Sequence, residues 1–227
     1  MREQPVAATL APTDLIDSDH PDVVAFSRRS ANGATERDKA VALYYAVRDG
    51  FRYDPYRIDL APAGMRASRV LETGMGWCVT KAGLLAAAAR AAGIPARLGY
   101  ADVRNHLSTE RMRQLMQTDL FMWHGYTELW LGEGWVKATP AFNVELCERF
   151  RLLPIEWDGR TDSLYHPYDR SGRRHMEYVR QRGVFDDMPL AQIRADFAAA
   201  YPRWLSPQLQ DGDFDADVAR ETGRPES

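Results

Sequence analysis

A cysteine at the start of a predicted helix is the residue of this sequence best suited to covalent chemistry. Cys78 follows a glycine-containing loop at residues 74–76, and the alanine- and leucine-rich run at 78–92 predicts a helix that ends at Gly93. The first N–H groups of a helix lack intrahelical partners and carry about half a positive charge, so they favour a thiolate and can hold an oxyanion. The alternative is a small buried cysteine packed on an alanine-rich helix.

A nucleophilic cysteine needs a base, and His124 is the histidine best placed to supply one. It stands early in a predicted strand at residues 120–131, where aromatic and polar residues alternate. A strand fixes the direction in which a side chain points. Because a lone histidine is more often structural, the hypothesis depends on Cys78 and His124 occurring together.

Sequence runs around these two residues resemble those of a known family. The nucleophile helix of the transglutaminase-like superfamily is similar to residues 76–85 (GWCVTKAGLL) and 90–97 (RAAGIPAR). That family's histidine strand and following strand are similar to residues 124–130 (HGYTELW) and 134–136 (GWV). The resemblance covers about residues 40–142. It implies a transglutaminase-like, papain-like cysteine proteinase fold of the α+β class, with the nucleophile helix packed on an antiparallel sheet.

The resemblance also implies a chemistry, which is papain-like acyl transfer. Cys78 would attack a carbonyl carbon, and His124 would hold the thiol proton and return it to the leaving amine. The thioacyl-enzyme would then pass to water, as in a protease or amidase, or to an amine, as in crosslinking. The substrate would be a peptide, a protein or a small amide. The alternative is an inactive transglutaminase-like binding module.

Threonine occupies the position at which the family usually carries an aspartate. Members usually read Trp-Val-x-x-Asp-Pro after the histidine strand, and this chain has Thr139 at the aspartate position. A hydroxyl can accept the imidazole N–H. Asn143 is a second candidate, since an uncharged asparagine orients the histidine of papain-like enzymes. Both are predicted catalytic residues, with Glu128 and Asp102 next in line, although Thr139 would equally suit a structural strand end.

Three aromatic residues are predicted to bind substrate. Tyr53 lies in a turn-rich segment before the cysteine, where it could line a cleft or donate to an oxyanion. Trp77 and Trp123 directly precede the two reactive candidates and could wall the site against water. Packing in the core is the competing interpretation for all three. His166 and His175 are interpreted as non-catalytic.

Helices followed by a run of strands are predicted around these residues, which is typical of an α+β protein. Helices are predicted at residues 36–49, 66–73, 78–92, 108–117, 141–150 and 190–201, and strands at 96–103, 120–131, 135–138 and 175–180. We expect a single transglutaminase-like domain over residues 1–210, with its core at about 36–142. The segment 211–227 is rich in charged residues and predicts a flexible tail.

Composition argues against several other functions. The chain has 227 residues and a formal net charge of -3, so it fits one domain and lacks the positive excess of a nucleic-acid-binding protein. No long apolar run predicts a membrane span and no secretory signal is recognisable, so we expect a cytoplasmic protein. Cys78 and Cys147 are expected to be free thiols. The sequence fits no metal site and no phosphate-binding loop, so neither metal nor cofactor is expected. It does not indicate an oligomeric state.

Overall fold

The helix that begins at Cys78 lies in the middle of the core, and the other elements pack around it. The computed structural model of the chain describes residues 6–106, 108–132, 134–163, 169–170, 172, 175–204 and 211–223. The helices are α1 (Pro21–Ser30), α2 (Glu36–Gly50), α3 (Pro62–Met65), α4 (Ala67–Thr73), α5 (Cys78–Ala91), α6 (Glu110–Met116), α7 (Val144–Phe150), α8 (Leu190–Ala200) and α9 (Phe214–Thr222). The strands are β1 (Arg52–Tyr53), β2 (Met75–Gly76), β3 (Ala96–Asn105), β4 (Leu120–Trp130), β5 (Trp135–Ala138) and β6 (Met176–Phe185).

Helix α5 is buried on every side because alanine, leucine and valine make up most of its sequence. All residues from Cys78 to Arg90 are buried, and it packs against α1, α2 and α4 as well as β3 and β4. At its start, the Thr80 hydroxyl accepts the N–H of Trp77 at 3.1 Å, and Gly93 follows its end with a φ of 81°. The predicted start at Cys78 is confirmed. Among the described residues, no helix is both long and apolar enough to cross a membrane.

The main sheet is antiparallel and has the strand order β5–β4–β3–β6. In the β3–β4 ladder Ala101 lies opposite His124, and β5 returns beside the end of β4 with Ala138 opposite Thr127. The hydroxyl of Thr127 donates to the carbonyl of Ala82 at 2.8 Å, so this face of β4 lies on α5. The predicted α+β class, with the nucleophile helix packed on an antiparallel sheet, is confirmed.

A second, very small sheet places the segment before the cysteine next to it. Strands β1 and β2 run parallel, with Arg52 opposite Met75 and Tyr53 opposite Gly76. Because Gly76 is only two residues before Cys78, this pairing carries the side chain of Tyr53 to the start of α5.

Part of the segment 211–227, which is predicted to be a flexible tail, is helical in the structure. Its described part contains α9, which begins where the Asp213 side chain accepts the N–H of Ala216 at 3.0 Å. Phe214 and Val218 lie four residues apart on one helix face, and both are buried. Phe214 packs edge-on against Tyr56, with ring centroids 5.2 Å apart. The acidic composition of the segment concealed these two apolar anchors.

Lys81 is fully buried on α5 and ties this helix to the end of α2. Its Nζ donates to the carbonyl oxygens of Arg48 at 2.9 Å and Phe51 at 2.6 Å. Carbonyls at a helix C-terminus lack helical partners, so the ammonium satisfies them. Burial lowers the pKa of Lys81 from 10.5 to about 7.

We predict that Lys81→Met changes how stability depends on pH. Because the folded-state pKa lies below the unfolded one, the unfolded chain binds more protons between about pH 7 and pH 10, and the contribution of Lys81 to the free energy of unfolding rises with pH across that window. Across this window the free energy of unfolding of the wild type should therefore increase relative to that of the variant by up to about a few kcal/mol. Urea unfolding at several pH values measures this, with Lys39→Met on α2 as the control. A difference that stays constant with pH would contradict the lowered pKa.

Candidate active site

Cys78 is the first residue of α5, and its side chain is nearly closed off from solvent. The residue is 7% exposed. Burial raises the pKa of its thiol from 9.0 to about 11, against the lowering effect of the backbone N–H groups of Gly125 and Val79 and of the Tyr53 hydroxyl. The start of the helix favours a thiolate, but desolvation outweighs it here. In this closed arrangement Cys78 is a neutral thiol.

His124 is held on β4 opposite Ala101, where it is 5% exposed. Burial, with a smaller contribution from the nearby His175, lowers its pKa from 6.5 to about 4. The imidazole is therefore neutral at physiological pH and has a nitrogen that can accept a proton. The resting pair is a neutral thiol and a neutral imidazole.

Cys78 and His124 line the same pocket, a space of about 30 Å³. The residue after His124 brings the two elements into backbone contact. A Cβ added to Gly125 would lie 3.0 Å from the Cα of Val79 and 3.2 Å from the carbonyl oxygen of Cys78. The two residues singled out as nucleophile and base are thus brought together by the packing of α5 on β4.

The other walls of this pocket are mostly apolar and come from distant parts of the chain. They include Phe121, Met122, Phe142, Met176, Phe197 and Trp204. No sequence pattern identifies them, because isolated aromatic and methionine residues on separate elements look like ordinary core residues.

Tyr53 lies in the same pocket as the thiol. Its hydroxyl favours the thiolate and so acts to lower the pKa of Cys78, while burial raises the pKa of Tyr53 well above its usual value of 10.0. Its ring packs edge-on against Phe142, with centroids 4.7 Å apart. Its backbone N–H donates to the Oδ1 of Asn143 at 3.2 Å. Tyr53 therefore lines the candidate site together with Cys78.

Thr139 and Asn143 are predicted to orient His124, but their side chains form hydrogen bonds with other residues. The hydroxyl of Thr139 donates to the carbonyl of Ser163 at 2.8 Å. Asn143 accepts from Tyr53 and donates through its Nδ2 to Glu145 at 2.7 Å. The physical reason is the same for both, since the loop after β5 turns these side chains toward backbone groups that need partners. Asn143 therefore orients Tyr53.

The two carboxylates next in line are also engaged elsewhere. Glu128 forms an ion pair with Arg97 at 2.8 Å, and both side chains are largely buried. Asp102 accepts from Arg182 at 2.5 Å and from the backbone N–H of Trp123 at 3.1 Å. These carboxylates anchor the sheet on either side of the candidate pair.

His175 lies close enough to His124 to influence its charge, although the sequence suggested no catalytic role for it. It precedes β6, is 2% exposed, and has its ring 6.2 Å from that of Phe142. The register of β6 on β3 brings it there, which local sequence does not reveal. His166 lies outside the described residues. Within the described ranges no group of three His, Cys, Asp or Glu residues could hold a metal ion.

The two tryptophans that precede the candidate pair differ in position. Trp77 is among the residues that line the pocket and packs edge-on against Phe197, with ring centroids 5.7 Å apart. Trp123 is not among the described residues that line it. Its backbone has a φ of 61° beside a bulge in β3, and its ring packs under Arg182 at 4.5 Å while its Nε1 donates to Asp196 at 2.9 Å. The local twist of β4 turns this ring away from the pocket.

The chain belongs to the transglutaminase-like superfamily, whose sequence pattern matches residues 24–140. The match covers just over half of the chain and includes Cys78, His124 and Thr139. No curated protein matches the chain.

Solved structures with similarity to this chain include two candidate proteases and a transglutaminase. A candidate cysteine protease from Cytophaga hutchinsonii is 17% identical over 79% of this chain and 46% of its own, with a TM-score of 0.47. A candidate protease from Parabacteroides distasonis is 16% identical over 56% and 26%, with a TM-score of 0.37. Red sea bream transglutaminase is 17% identical over 84% and 37%, with a TM-score of 0.33. The chain spans less than half the length of each of these proteins.

We predict that Tyr53→Phe raises the pKa of the Cys78 thiol, because it removes a donor that favours the thiolate. In a Cys147→Ala background, alkylation of Cys78 by iodoacetamide should slow at a fixed pH, by about tenfold for each pKa unit gained. The rate measured against pH gives the shift. Tyr45→Phe is the control, since the Tyr45 hydroxyl donates to Glu156 instead. A rate profile that is the same in Tyr53→Phe would show that the Tyr53 hydroxyl does not stabilise the thiolate in solution.

Proposed function

We propose that this chain is a cysteine-dependent acyl-transfer enzyme acting on peptide or amide bonds, with Cys78 as nucleophile and His124 as base. The observation that carries the proposal is the single pocket that these two side chains line at the start of α5. Membership of the transglutaminase-like superfamily supports the same kind of enzyme. The substrate is a peptide, a protein or a small amide.

The first half of the reaction forms a thioester. The Sγ proton of Cys78 passes to the imidazole of His124, and the thiolate sulfur bonds to the substrate carbonyl carbon as the π pair moves to oxygen. The backbone N–H of Cys78 has no intrahelical acceptor and can donate to this oxyanion. The C–N bond then breaks, and the amine leaves with the proton that His124 held.

The second half releases the acyl group. Water or an amine attacks the thioester carbonyl while His124 takes a proton from it, and the sulfur leaves as the tetrahedral intermediate collapses. His124 returns its proton to Sγ, which restores the neutral pair. Water gives hydrolysis, and an amine gives transamidation.

The electrostatics of the site predict a slow reaction until the pocket is opened. A thiol with a pKa of about 11 and an imidazole with a pKa of about 4 resist proton transfer, because both charged products are disfavoured by burial. Opening would admit water or polar substrate groups and relieve this cost. The same observation favours the second candidate function, a transglutaminase-like binding module with little or no catalysis.

The pocket must also open for steric reasons. Its volume of about 30 Å³ is close to that of one water molecule, so no peptide fits beside the thiol. Two of its walls, Phe197 and Trp204, follow the region that matches the family, and their rings stack with centroids 5.6 Å apart. Trp204 also donates its Nε1 to the carbonyl of Pro55 at 3.3 Å. These residues form the cover of the site.

The enzyme proposal predicts a covalent acyl adduct on Cys78. Incubation with activated esters and glutaminyl peptides should add the acyl mass to the wild type, because a thioester accumulates when deacylation is slow. Cys78→Ala should form no adduct, and His124→Ala should form it at least about a hundredfold more slowly. Intact-mass spectrometry and peptide mapping measure both. If the label lies on Cys147, or if His124→Ala reacts as fast as the wild type, the assignment is wrong.

We predict that Trp204→Ala increases the reactivity of Cys78, because Trp204 is part of the cover of the site. Removing this ring deletes contacts with Phe197 and Phe121 and lowers the free energy of opening, which should speed alkylation by about tenfold or more. The experiment uses iodoacetamide at neutral pH on Cys147→Ala protein. Trp130→Ala, at the far end of β4, is the matched control. Equal rates in all three proteins would mean that Trp204 does not limit access.

A further inference from the structure

A wide groove lies at the other end of β4 from His124. It has a volume of about 740 Å³ and is lined by Trp130 and Trp135 of the β4–β5 hairpin together with Arg37 and Arg160. Trp130 is six residues beyond His124, which at about 3.3 Å per residue places the groove about 20 Å from the candidate pair. A ligand bound there would not touch Cys78.

Three guanidinium groups converge on this groove. Arg97 is balanced by its ion pair with Glu128. Arg37 uses its Nε to donate to the carbonyl of Gly159 at 3.1 Å, which leaves its two terminal nitrogens for other acceptors. Arg160 is exposed and, among the described residues, has no carboxylate within 4.0 Å. Among the described residues, neither Arg37 nor Arg160 therefore forms an ion pair within 4.0 Å, although each, beside the larger effect of hydrogen bonds, lowers the pKa of a nearby carboxyl group, Asp38 for Arg37 and Asp158 for Arg160.

A glycine keeps two of these arginines together. Gly159 has a φ of 68°, and a Cβ added to it would lie 2.7 Å from the Cγ of Arg37. A larger residue would push the loop that carries Arg160 away from α2. The close approach thus fixes the two cations on one side of the groove.

The opposite wall offers flat aromatic surface. The rings of Trp130 and Trp135 meet edge to face, with centroids 5.6 Å apart, and both residues are half-buried. The guanidinium of Arg97 already lies 4.2 Å from the ring of Trp135, which shows that this indole accepts a planar cationic neighbour. A flat ring of a ligand can stack in the same way.

We propose that this groove binds a small anion that carries a flat ring, of the nucleoside phosphate class. Arg37 and Arg160 would hold the phosphate, and the indole of Trp130 would stack on the ring. The volume lies within the range of about 300–1,000 Å³ that is usual for small-molecule sites. The proposal does not depend on catalysis at Cys78.

Calorimetric titration of the full chain with adenosine monophosphate tests the proposal, with adenosine and inorganic phosphate as separate ligands. The nucleotide should bind at least about tenfold more tightly than either part alone, because both walls are then used. Arg160→Glu should weaken nucleotide binding by at least about tenfold. Trp130→Ala should weaken nucleotide binding but leave inorganic phosphate unchanged.

The matched control is Arg28→Glu, which makes the same charge change at an exposed arginine of α1 outside the groove. It should bind the nucleotide as the wild type does, and circular dichroism should show all variants folded. The proposal is overturned if no saturable binding occurs up to about 1 mM, or if Arg160→Glu and Arg28→Glu behave alike. It is also overturned if a glutamate-rich peptide binds the groove more tightly than the nucleotide, which would make this surface a protein interface.

Discussion

The backbone contact between the first turn of α5 and β4 at Gly125 is the constraint on which the rest of this structure depends. Only a residue without a Cβ lets Val79 and the carbonyl of Cys78 approach the strand this closely. The contact sets the height of α5 on the sheet, and it brings a backbone N–H to the thiol. Because His124 is the next residue along the strand, the same contact also sets where the candidate base stands. Replacing Gly125 would move the helix and the pair together.

Close packing has an electrostatic consequence for this site. A helix start favours an adjacent anion by about 0.3–2 kcal/mol, whereas full burial can shift a pKa by about 3–5 units, each equivalent to about 1.4 kcal/mol. The raised pKa of Cys78 and the lowered pKa of His124 show that burial is the larger effect here. The pair is therefore positioned for chemistry but kept neutral by the packing that positions it, and exposure is what would change its charge state.

The parts of the fold that the sequence predicted are those that local pattern determines. The alanine-rich run gave α5 and its start at Cys78, and alternation with a glycine turn gave β4 and the return of β5. From these elements Cys78 and His124 could be predicted as the candidate pair, but the other residues of the site could not. Asn143 contacts Tyr53 because of how β1 sits on β2, and His175 nears His124 because of how β6 pairs with β3. Such long-range register has no local signature.

The aromatic wall of the candidate pocket at Trp204 is coupled to the strand that carries His124. Strand β5 pairs with β4 only from Thr127 to Trp130, so it ends before the first residues of β4. There the hydroxyl of Tyr201 donates to the carbonyl of Leu120 at 2.6 Å and accepts the N–H of Met122 at 2.8 Å, in place of a neighbouring strand. Tyr201 also packs on Trp204, with centroids 5.0 Å apart. A displacement of Trp204 would therefore be transmitted through Tyr201 to Leu120 and Met122, four and two residues before His124, so that the packing of this wall and the position of His124 are linked through one hydroxyl.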